Sequence, residues 1–490
     1  MTGCRCAVPL LMGVGLVVAC AGVATPAQPK SKSYNVLFIA IDDLNDWAGP
    51  FGGNPQVKTP RMDRFAEKAV VFSRAYCPGT VCGPSRSALL TGKHAAHTGV
   101  YGNSTNLKNA PKARDLETLP EYFGNRGYHT LSAGKIFHKH ATKDGLDEGQ
   151  WAFHEMAHPG GDGGVAWSKT AEHPQIKISG SPLSWGATKA PLERTKDYVA
   201  CKWAADQLDR DFEGKPFFLA LGLSKPHLPF NVPQEFFDMY PLEEVEIAPV
   251  KMTDYDDIVR ADGSPVYRNV PDPTWLAAEA SDAHDDLNRA YMAAVSYVDA
   301  CLGVVFEALE NSRYADNTIV VVWGDHGWYL GEKLRYRKTH LWEEAARVPL
   351  MVRAPGVSPE GVRCEGVVNL IDMYPTLLEL CGLPANPKND GRSFAPLLAD
   401  PSMKWNVPTL TTDGYMNHSL TDGRYRYIWY GGLADGAEEL YDHSTDPLEH
   451  DNLAYKPEYR AIIAGFKQHL PTHNEPRSPE NTSEKKGRSQ

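Results

Sequence analysis

Three unbroken apolar runs punctuate the chain, and each stops abruptly at a polar cluster. Residues 35–41 (NVLFIAI) end at Asp42-Asp43, residues 216–223 (PFFLALGL) run up to Lys225-Pro226-His227, and residues 318–323 (TIVVVW) give way to Gly324-Asp325-His326-Gly327. Runs of this length and composition predict strands buried on both faces of a parallel sheet. Thr59-Pro60 supplies an N-cap followed by a proline suited to a first helical turn, and Met62, Phe65, Ala66 and Ala69 follow at helical spacing. Strands alternating with helices predict an α/β domain built on a mostly parallel sheet. Ligands of such sheets sit beyond the carboxyl ends of the strands, so the acidic and histidine clusters mark the expected active-site edge.

Elsewhere the pattern weakens. Residues 159–164 (PGGDGG) open a Gly-, Ser- and Pro-rich region reaching Pro191, and residues 251–273 are polar, acidic and without period. Loops this long predict pocket walls, the alternative being mobile surface insertions. Beyond residue 385 the character changes: residues 408–412 and 424–430 (RYRYIWY) read as strands and 458–470 as an amphipathic helix. This predicts a small C-terminal α+β subdomain over 386–470, followed by a polar tail, 471–490, expected to be disordered. No internal repeat is evident.

The N-terminus reads as a leader. Arg5 precedes an apolar run at residues 7–19, too short to span a bilayer but suited to a signal peptide over residues 1–24. Val17-Val18-Ala19-Cys20 resembles a lipoprotein processing box, with plain cleavage near Ala24 or Ala27 and a retained anchor as the alternatives. All three predict export, to the periplasm, the outer membrane as a lipoprotein, or the medium. No other segment reads as a membrane span, so membrane contact is expected only through an N-terminal lipid anchor. A chain of 490 residues with 42% hydrophobic and 23% charged residues suits one large domain plus a smaller one. Its 50 basic and 61 acidic residues, net charge -11, argue against a nucleic-acid partner while leaving room for a locally positive anion site. Of nine cysteines, Cys4, Cys6 and Cys20 fall in the leader region, and Cys77, Cys82, Cys201, Cys301, Cys364 and Cys381 show no metal-site spacing. Free thiols are the default, and spacing alone leaves a Cys364–Cys381 pair open.

The chemistry concentrates in Cys82-Gly83-Pro84-Ser85-Arg86, followed by Ser87-Ala88-Leu89-Leu90-Thr91-Gly92. The segment reads as a turn into a helix, which places Cys82 at a helix N-terminus where the dipole favours negative charge. Taken alone, Cys82 could equally be a buried structural cysteine. Asp42 and Asp43 side by side would repel in a buried setting unless a hard cation lies between them, and carboxylate oxygens suit calcium. Capping of a turn is the plainer alternative. Asp325 ends another strand and can converge on the same ion.

The Cys82 segment resembles the sulfatase signature, in which the cysteine is oxidised to formylglycine (3-oxoalanine). The resemblance extends from residue 35 to about 452 and is of the iduronate-2-sulfatase-like kind. It is carried by Asp42-Asp43, Gly134-Lys135-Ile136-Phe137-His138, Lys225-Pro226-His227, Asp325-His326-Gly327-Trp328, Lys338, Glu439-Leu440-Tyr441-Asp442 and Asp446-Pro447-Leu448. It implies an alkaline-phosphatase-like α/β sandwich with a large mixed, mostly parallel sheet in a catalytic domain over 34–385, and the smaller subdomain beyond. It also implies Ca2+ held by Asp42, Asp43, Asp325 and His326 with the oxidised Cys82; many relatives carry Asn where His326 stands. A diol formed from the aldehyde would attack sulfur, and its second hydroxyl would allow sulfate to leave, an exit a serine lacks. Arg86 would steady the diol, Lys135 and His138 would bind diol and sulfate with His138 as base, and His227 and Lys338 would hold sulfate and protonate the leaving alcohol.

Trp328 could stack on a sugar or pack in the core. Arg335, Arg337 and His340 are candidates for a uronate carboxylate. The implied partners are a sulfated oligosaccharide or polysaccharide and a formylglycine-generating or anaerobic maturase. The implied activity is hydrolysis of a carbohydrate sulfate, exo-acting on a 2-O-sulfated uronic acid or similar sugar. The rivals are a phosphonate monoester or phosphodiester hydrolase, which shares the Cys-x-Pro-x-Arg element, and a sulfated-glycan-binding lipoprotein that never oxidises Cys82. A two-zinc phosphatase would need more Asp and His ligands than the sequence offers.

Overall fold

The structure, a computed structural model, describes residues 1–3, 33–142, 145–158, 175–176, 182–260, 262–433 and 436–479. The expected leader apart from residues 1–3, the glycine-rich stretch at 159–164 and the end of the tail lie outside the described residues.

Eight strands form the main sheet: β1 (Asn35–Asp42), β2 (Val70–Phe72), β3 (His129–Gly134), β4 (Glu155–Ala157), β5 (Phe217–Pro226), β6 (Thr318–Gly324), β7 (Leu350–Arg353) and β8 (Val362–Cys364), in the spatial order β8-β2-β7-β6-β1-β5-β3-β4. The three apolar runs therefore lie side by side at its centre as β6, β1 and β5. They pair in parallel with registers Val36↔Phe218 and Asn35↔Thr318, which brings Asp42, Asp325 and the Lys225–His227 turn to one edge. Strand β7 alone among the sheet's pairings runs antiparallel, to both β6 and β2. The result is the mixed, mostly parallel sheet of an alkaline-phosphatase-like α/β sandwich.

Helices cover both faces. On one, Leu37, Ile39 and Ile41 pack with α1 (Pro60–Ala66), α3 (Lys196–Gln207) and α4 (His284–Asn311). On the other, Val36, Phe38 and Ala40 pack with α2 (Cys82–Thr91) and the helix Met373–Leu380. Alternate residues of β1 thus serve two cores, which is why its sequence is apolar throughout. Helix α1 starts as expected with Thr59 before Pro60, but its free amides are capped from outside: Asp299 of α4 accepts from Met62 N at 2.7 Å. Helix α4 corrects one expectation. It is long and apolar enough to cross a membrane by composition, yet most of it is buried against the sheet, as befits a core helix.

Four strands, β9 (Thr409–Thr412), β10 (Asn417–Thr421), β11 (Tyr425–Tyr430) and β12 (Glu438–Asp442), form a separate antiparallel meander. The helix Arg460–Lys467 packs Ile463 and Phe466 onto its Tyr427 and Leu440. The preceding short helix, Ala395–Ala399, instead buries Leu397 and Leu398 in the main core beside Phe38, so the small layer begins at Thr409. The tail is a second correction. Residues 471–479 are laid along the body, with Glu475 N donating to Ala96 O at 2.7 Å and Ser478 N to Gly99 O at 2.8 Å. Backbone pairing and the burial of Ser478 offset the low hydrophobicity that predicted disorder. The Cys364–Cys381 pair left open by spacing is not formed, and all six cysteines among the described residues outside the leader are buried free thiols.

Candidate active site

The four adjacent strands β6, β1, β5 and β3, and the start of α2, each bring a charged or titratable group to the carboxyl edge. Cys82 is the first residue of α2, after Val81 at the N-cap, and is almost fully buried. Its Sγ lies 3.2 Å from His326 Nε2, 3.1 Å from Lys338 Nζ and 3.9 Å from Asp43 Oδ1. One turn along the helix, Arg86 is wholly buried and clasps two strands at once: Nε donates to Asp325 Oδ2 at 2.7 Å and Nη2 to Asp42 Oδ1 at 3.2 Å. Its Nη1 donates to Lys135 O at 2.6 Å, fixing the turn that follows β3. Lys135 Nζ in turn donates to Asp42 Oδ2 at 2.5 Å.

Asp43 adopts φ 62°, a left-handed conformation that a non-glycine residue holds only with support. The support is explicit. Asp43 N donates to Asp325 Oδ1 at 3.0 Å, and Tyr291 of α4 donates its hydroxyl proton to Asp43 O at 2.8 Å. Lys338 Nζ donates to Asp43 Oδ1 at 2.6 Å, and His227 Nε2 lies 3.7 Å from Asp43 Oδ2. Burial would raise the Asp42 carboxyl, but Lys135, His227 and Arg86 together hold it well below the usual carboxylate range; for Asp43, burial and the Asp42 charge push up, and His227 and Lys338 outweigh them to bring it down. Burial pushes the Cys82 thiol up to about 12, with Asp42 adding to the effect, so the unmodified side chain is a neutral thiol.

His227 and His138 stand at the rim. His227 Nδ1 is 2.5 Å from the Leu228 carbonyl, which orients the ring, and its turn is pinned by Asp197, which accepts from Ser224 N and Lys225 N at 2.9 Å each. His138 has a buried Nδ1 without a hydrogen-bond partner, and burial, then Lys135, push it down to about 3. Asp42, Lys135, His138 and His227 open onto a cavity of about 460 Å³. A larger cavity of about 770 Å³ lies elsewhere, lined by both acidic side chains (Asp46, Glu332, Glu343, Glu344) and basic ones (Arg74, Arg347, Arg424); none of the predicted site residues lines it.

The residues predicted for the site thus converge, with His326 in direct contact with Cys82. Others do not. Arg335 is buried and donates to Asp272 at 3.3 Å, His340 stacks on Trp342, and neither they nor Arg337 line the 460 Å³ cavity. Trp328 is buried in the core with Phe230, Lys338 lying over its ring, so it packs rather than faces a ligand. The loop carrying Lys338 is held in left-handed conformations at Lys333, Leu334, Arg337, Thr339 and His340. The 251–273 segment, expected as a pocket wall, braces this loop instead: Lys333 Nζ donates to Asp254 at 3.1 Å and Tyr255 OH to Lys333 O at 2.8 Å. Asp197, Tyr291 and this bracing were missed, because their roles depend on contacts distant in sequence.

A divalent cation fits the cluster on this evidence. Asp43 Oδ2 is buried and accepts no hydrogen bond. Ligand atoms of Asp42, Asp43, Cys82 and His227 lie within 4.8 Å of one another, as do those of Cys82, Asp325 and His326. Three of these six residues supply hard carboxylate oxygens, the donors a divalent cation such as calcium favours. A third such group, Glu343, His443 and Glu449, is already filled by the Arg426 guanidinium, whose Nε donates to Glu449 at 2.7 Å.

Sheet, cover helices and a charged cluster at the strand ends define a hydrolase of alkaline-phosphatase-like architecture. Its fold matches phosphonate monoester hydrolase of Agrobacterium radiobacter with a TM-score of 0.70 at 20% identity, over 89% of this chain and 94% of that one. The sulfatase profile matches residues 34–383, and that of the C-terminal part of N-sulphoglucosamine sulphohydrolase matches 324–475. A sulfatase of Formosa agariphila is 36% identical over 475 residues, covering 95% of this chain and 92% of its own. Iduronate 2-sulfatase of Mus musculus is 29% identical over 539 residues, covering 91% and 95%. The chain belongs to the sulfatase family and is a sulfuric ester hydrolase.

Proposed function

We propose that the chain hydrolyses a carbohydrate sulfate, exo-acting on a 2-O-sulfated uronic acid or similar sugar, with Cys82 oxidised to formylglycine by a maturase and Ca2+ held by Asp42, Asp43, Asp325 and His326 with the modified side chain. The observation that carries this is the convergence of three buried carboxylates and Cys82 inside a ring of Arg86, Lys135 and Lys338, with Asp43 Oδ2 accepting no hydrogen bond. When bound, the ion would supply Lewis acidity toward an oxygen at position 82.

The remaining roles fall to the chain's own groups. Lys135 and Lys338 approach the Cys82 position from two sides and bind sulfate oxygens; Arg86 holds Asp42 and Asp325 apart and in place. His138 is neutral at working pH because burial and Lys135 disfavour its charged form; a sulfate bound against Lys135 would offset that charge and raise the proton affinity His138 needs to act as base during release. His227 directs Nδ1 to the Leu228 carbonyl, so Nε2 is the nitrogen that exchanges a proton with the leaving alcohol. The sugar choice rests on the likeness to iduronate 2-sulfatase. Export is supported by the leader pattern, as lipoprotein, periplasmic or secreted protein.

The test is sulfate release from a 2-O-sulfated uronic acid disaccharide, with mass spectrometry of the Cys82 peptide. Release from formylglycine-bearing protein that vanishes in Cys82→Ala is the expected result; release by protein carrying only thiol would refute the formylglycine assignment. Phosphonate monoester hydrolysis is the second reading, favoured by the shared fold. A higher rate on a phenyl phosphonate monoester than on the matched sulfate would select it.

A further inference from the structure

The 460 Å³ cavity extends past the catalytic groups into a wall the mechanism does not use. Four lysines line it, Lys135, Lys139, Lys196 and Lys225, against two carboxylates, Asp42 and Asp197. Both carboxylates are engaged, Asp42 by Arg86 and Lys135 and Asp197 by the Ser224 and Lys225 amides. Lys225 is also engaged, since its ammonium donates to the His227 and Pro229 carbonyls. Lys139 pairs with Glu148, whereas Lys196 makes no ion pair within 4 Å among the described residues and feels Asp197 and Glu148 only at longer range. Lys196 opens α3, where the free amides of the first turn add to the positive potential.

The same wall holds unsatisfied polar atoms. Thr188 is buried and its Oγ1 has no partner; Asn231 Oδ1 and His138 Nδ1 are likewise without one. Buried polar atoms left unpaired cost free energy, and a ligand bearing hydroxyls would satisfy them. Burial and the neighbouring Lys139 lower the Lys196 ammonium's pKa, Asp197 and Glu148 offsetting this only in part, and a bound anion would relieve the remaining repulsion. Arg335, Arg337 and His340 offer nothing comparable, being outside this cavity.

We propose that this cavity is the sugar subsite, that Thr188 and Asn231 meet ring hydroxyls, and that Lys196 with Lys139 binds a second acidic group of the substrate, a carboxylate or a further sulfate. This rests on the carbohydrate-sulfatase reading and narrows it to substrates carrying two anionic groups. Binding to the Cys82→Ala chain by titration calorimetry tests it without requiring turnover, so its failure is separable from a failure of the activity. The probes are a 2-O-sulfated uronic acid disaccharide, glucosamine 2-N,6-O-disulfate and a monosulfated neutral hexose. At least one doubly anionic probe should bind about tenfold tighter than the neutral hexose sulfate, and Lys196→Gln should remove most of that margin while Lys196→Arg retains it. The probe that loses more identifies carboxylate or sulfate. Equal binding of all three probes, or a margin untouched by both Lys196→Gln and Lys139→Gln, would overturn the proposal.

Discussion

Arg86 carries more of the site's charge balance than any other side chain described here. It is fully buried between Asp42 and Asp325, so Arg86→Ala leaves Asp325 without its paired guanidinium and Asp42 with Lys135 alone, in low dielectric. Breaking such a pair from one side costs about 3–5 kcal/mol, readable as a lower urea midpoint at unchanged slope. His138→Ala should leave the fold intact and lower kcat by about 10²–10³-fold, the usual worth of a positioned base, in steady-state kinetics. Asp390 offers a pH signature. Burial opposes its ionisation, but His97, Lys93 and the His94 amide overcome this and bring it down to about 2. A depressed carboxylate stabilises the folded state above its ordinary range and loses that contribution as pH falls toward 2. Asp390→Asn should therefore cost about 1–2 kcal/mol at pH 7 and almost nothing near pH 2, measured by denaturant titration at both. At this scale the sequence was informative where a motif is contiguous, as in Cys82 to Arg86 or Lys135 to His138. Lys196 and Asn231 left no trace, since nothing local distinguishes them from surface residues; Thr188 falls in the region reaching Pro191 that reads as a pocket wall, but nothing singles it out there.

Among the elements, legibility followed buried length. Strands β1, β5 and β6 are unbroken apolar runs because both their faces are covered, and they stood out at once. Strand β3 is short and half polar (HTLSAG), and β2 and β8 have three residues each, so they carry little pattern. The 471–479 segment was misjudged because its order comes from backbone hydrogen bonds to the helix after α2, which composition does not encode. One contact joins element to site. Gly134 ends β3 at φ 75°, and a Cβ there would meet Gly222 O at 1.9 Å; a Cβ on Gly222 would meet Lys135 O at 2.0 Å. Backbone on both sides leaves no room to give. Gly222→Ala should push the Lys135 turn off β5, costing about 1–3 kcal/mol and most of kcat/KM, by thermal melts and kinetics on the same preparation.

Over the whole molecule, the small sheet is fastened to the loop that presents Lys338. Arg426 of β11 is fully buried, pairing with Glu449 at 2.7 Å and with Glu343 just beyond that loop. Arg426→Ala should destabilise by about 3–5 kcal/mol and raise hydrogen exchange across residues 333–343, because both carboxylates lose their counter-charge. The burial of Cys82 then has a consequence in time. The thiol is closed over by His326 and Lys338, residues made more than two hundred positions after it. On the formylglycine reading proposed above, the oxidising enzyme would have to reach Cys82 while those segments are still absent or unfolded. The order of events along the emerging chain would then decide whether each copy matures, and a molecule that folded first would keep its thiol out of reach.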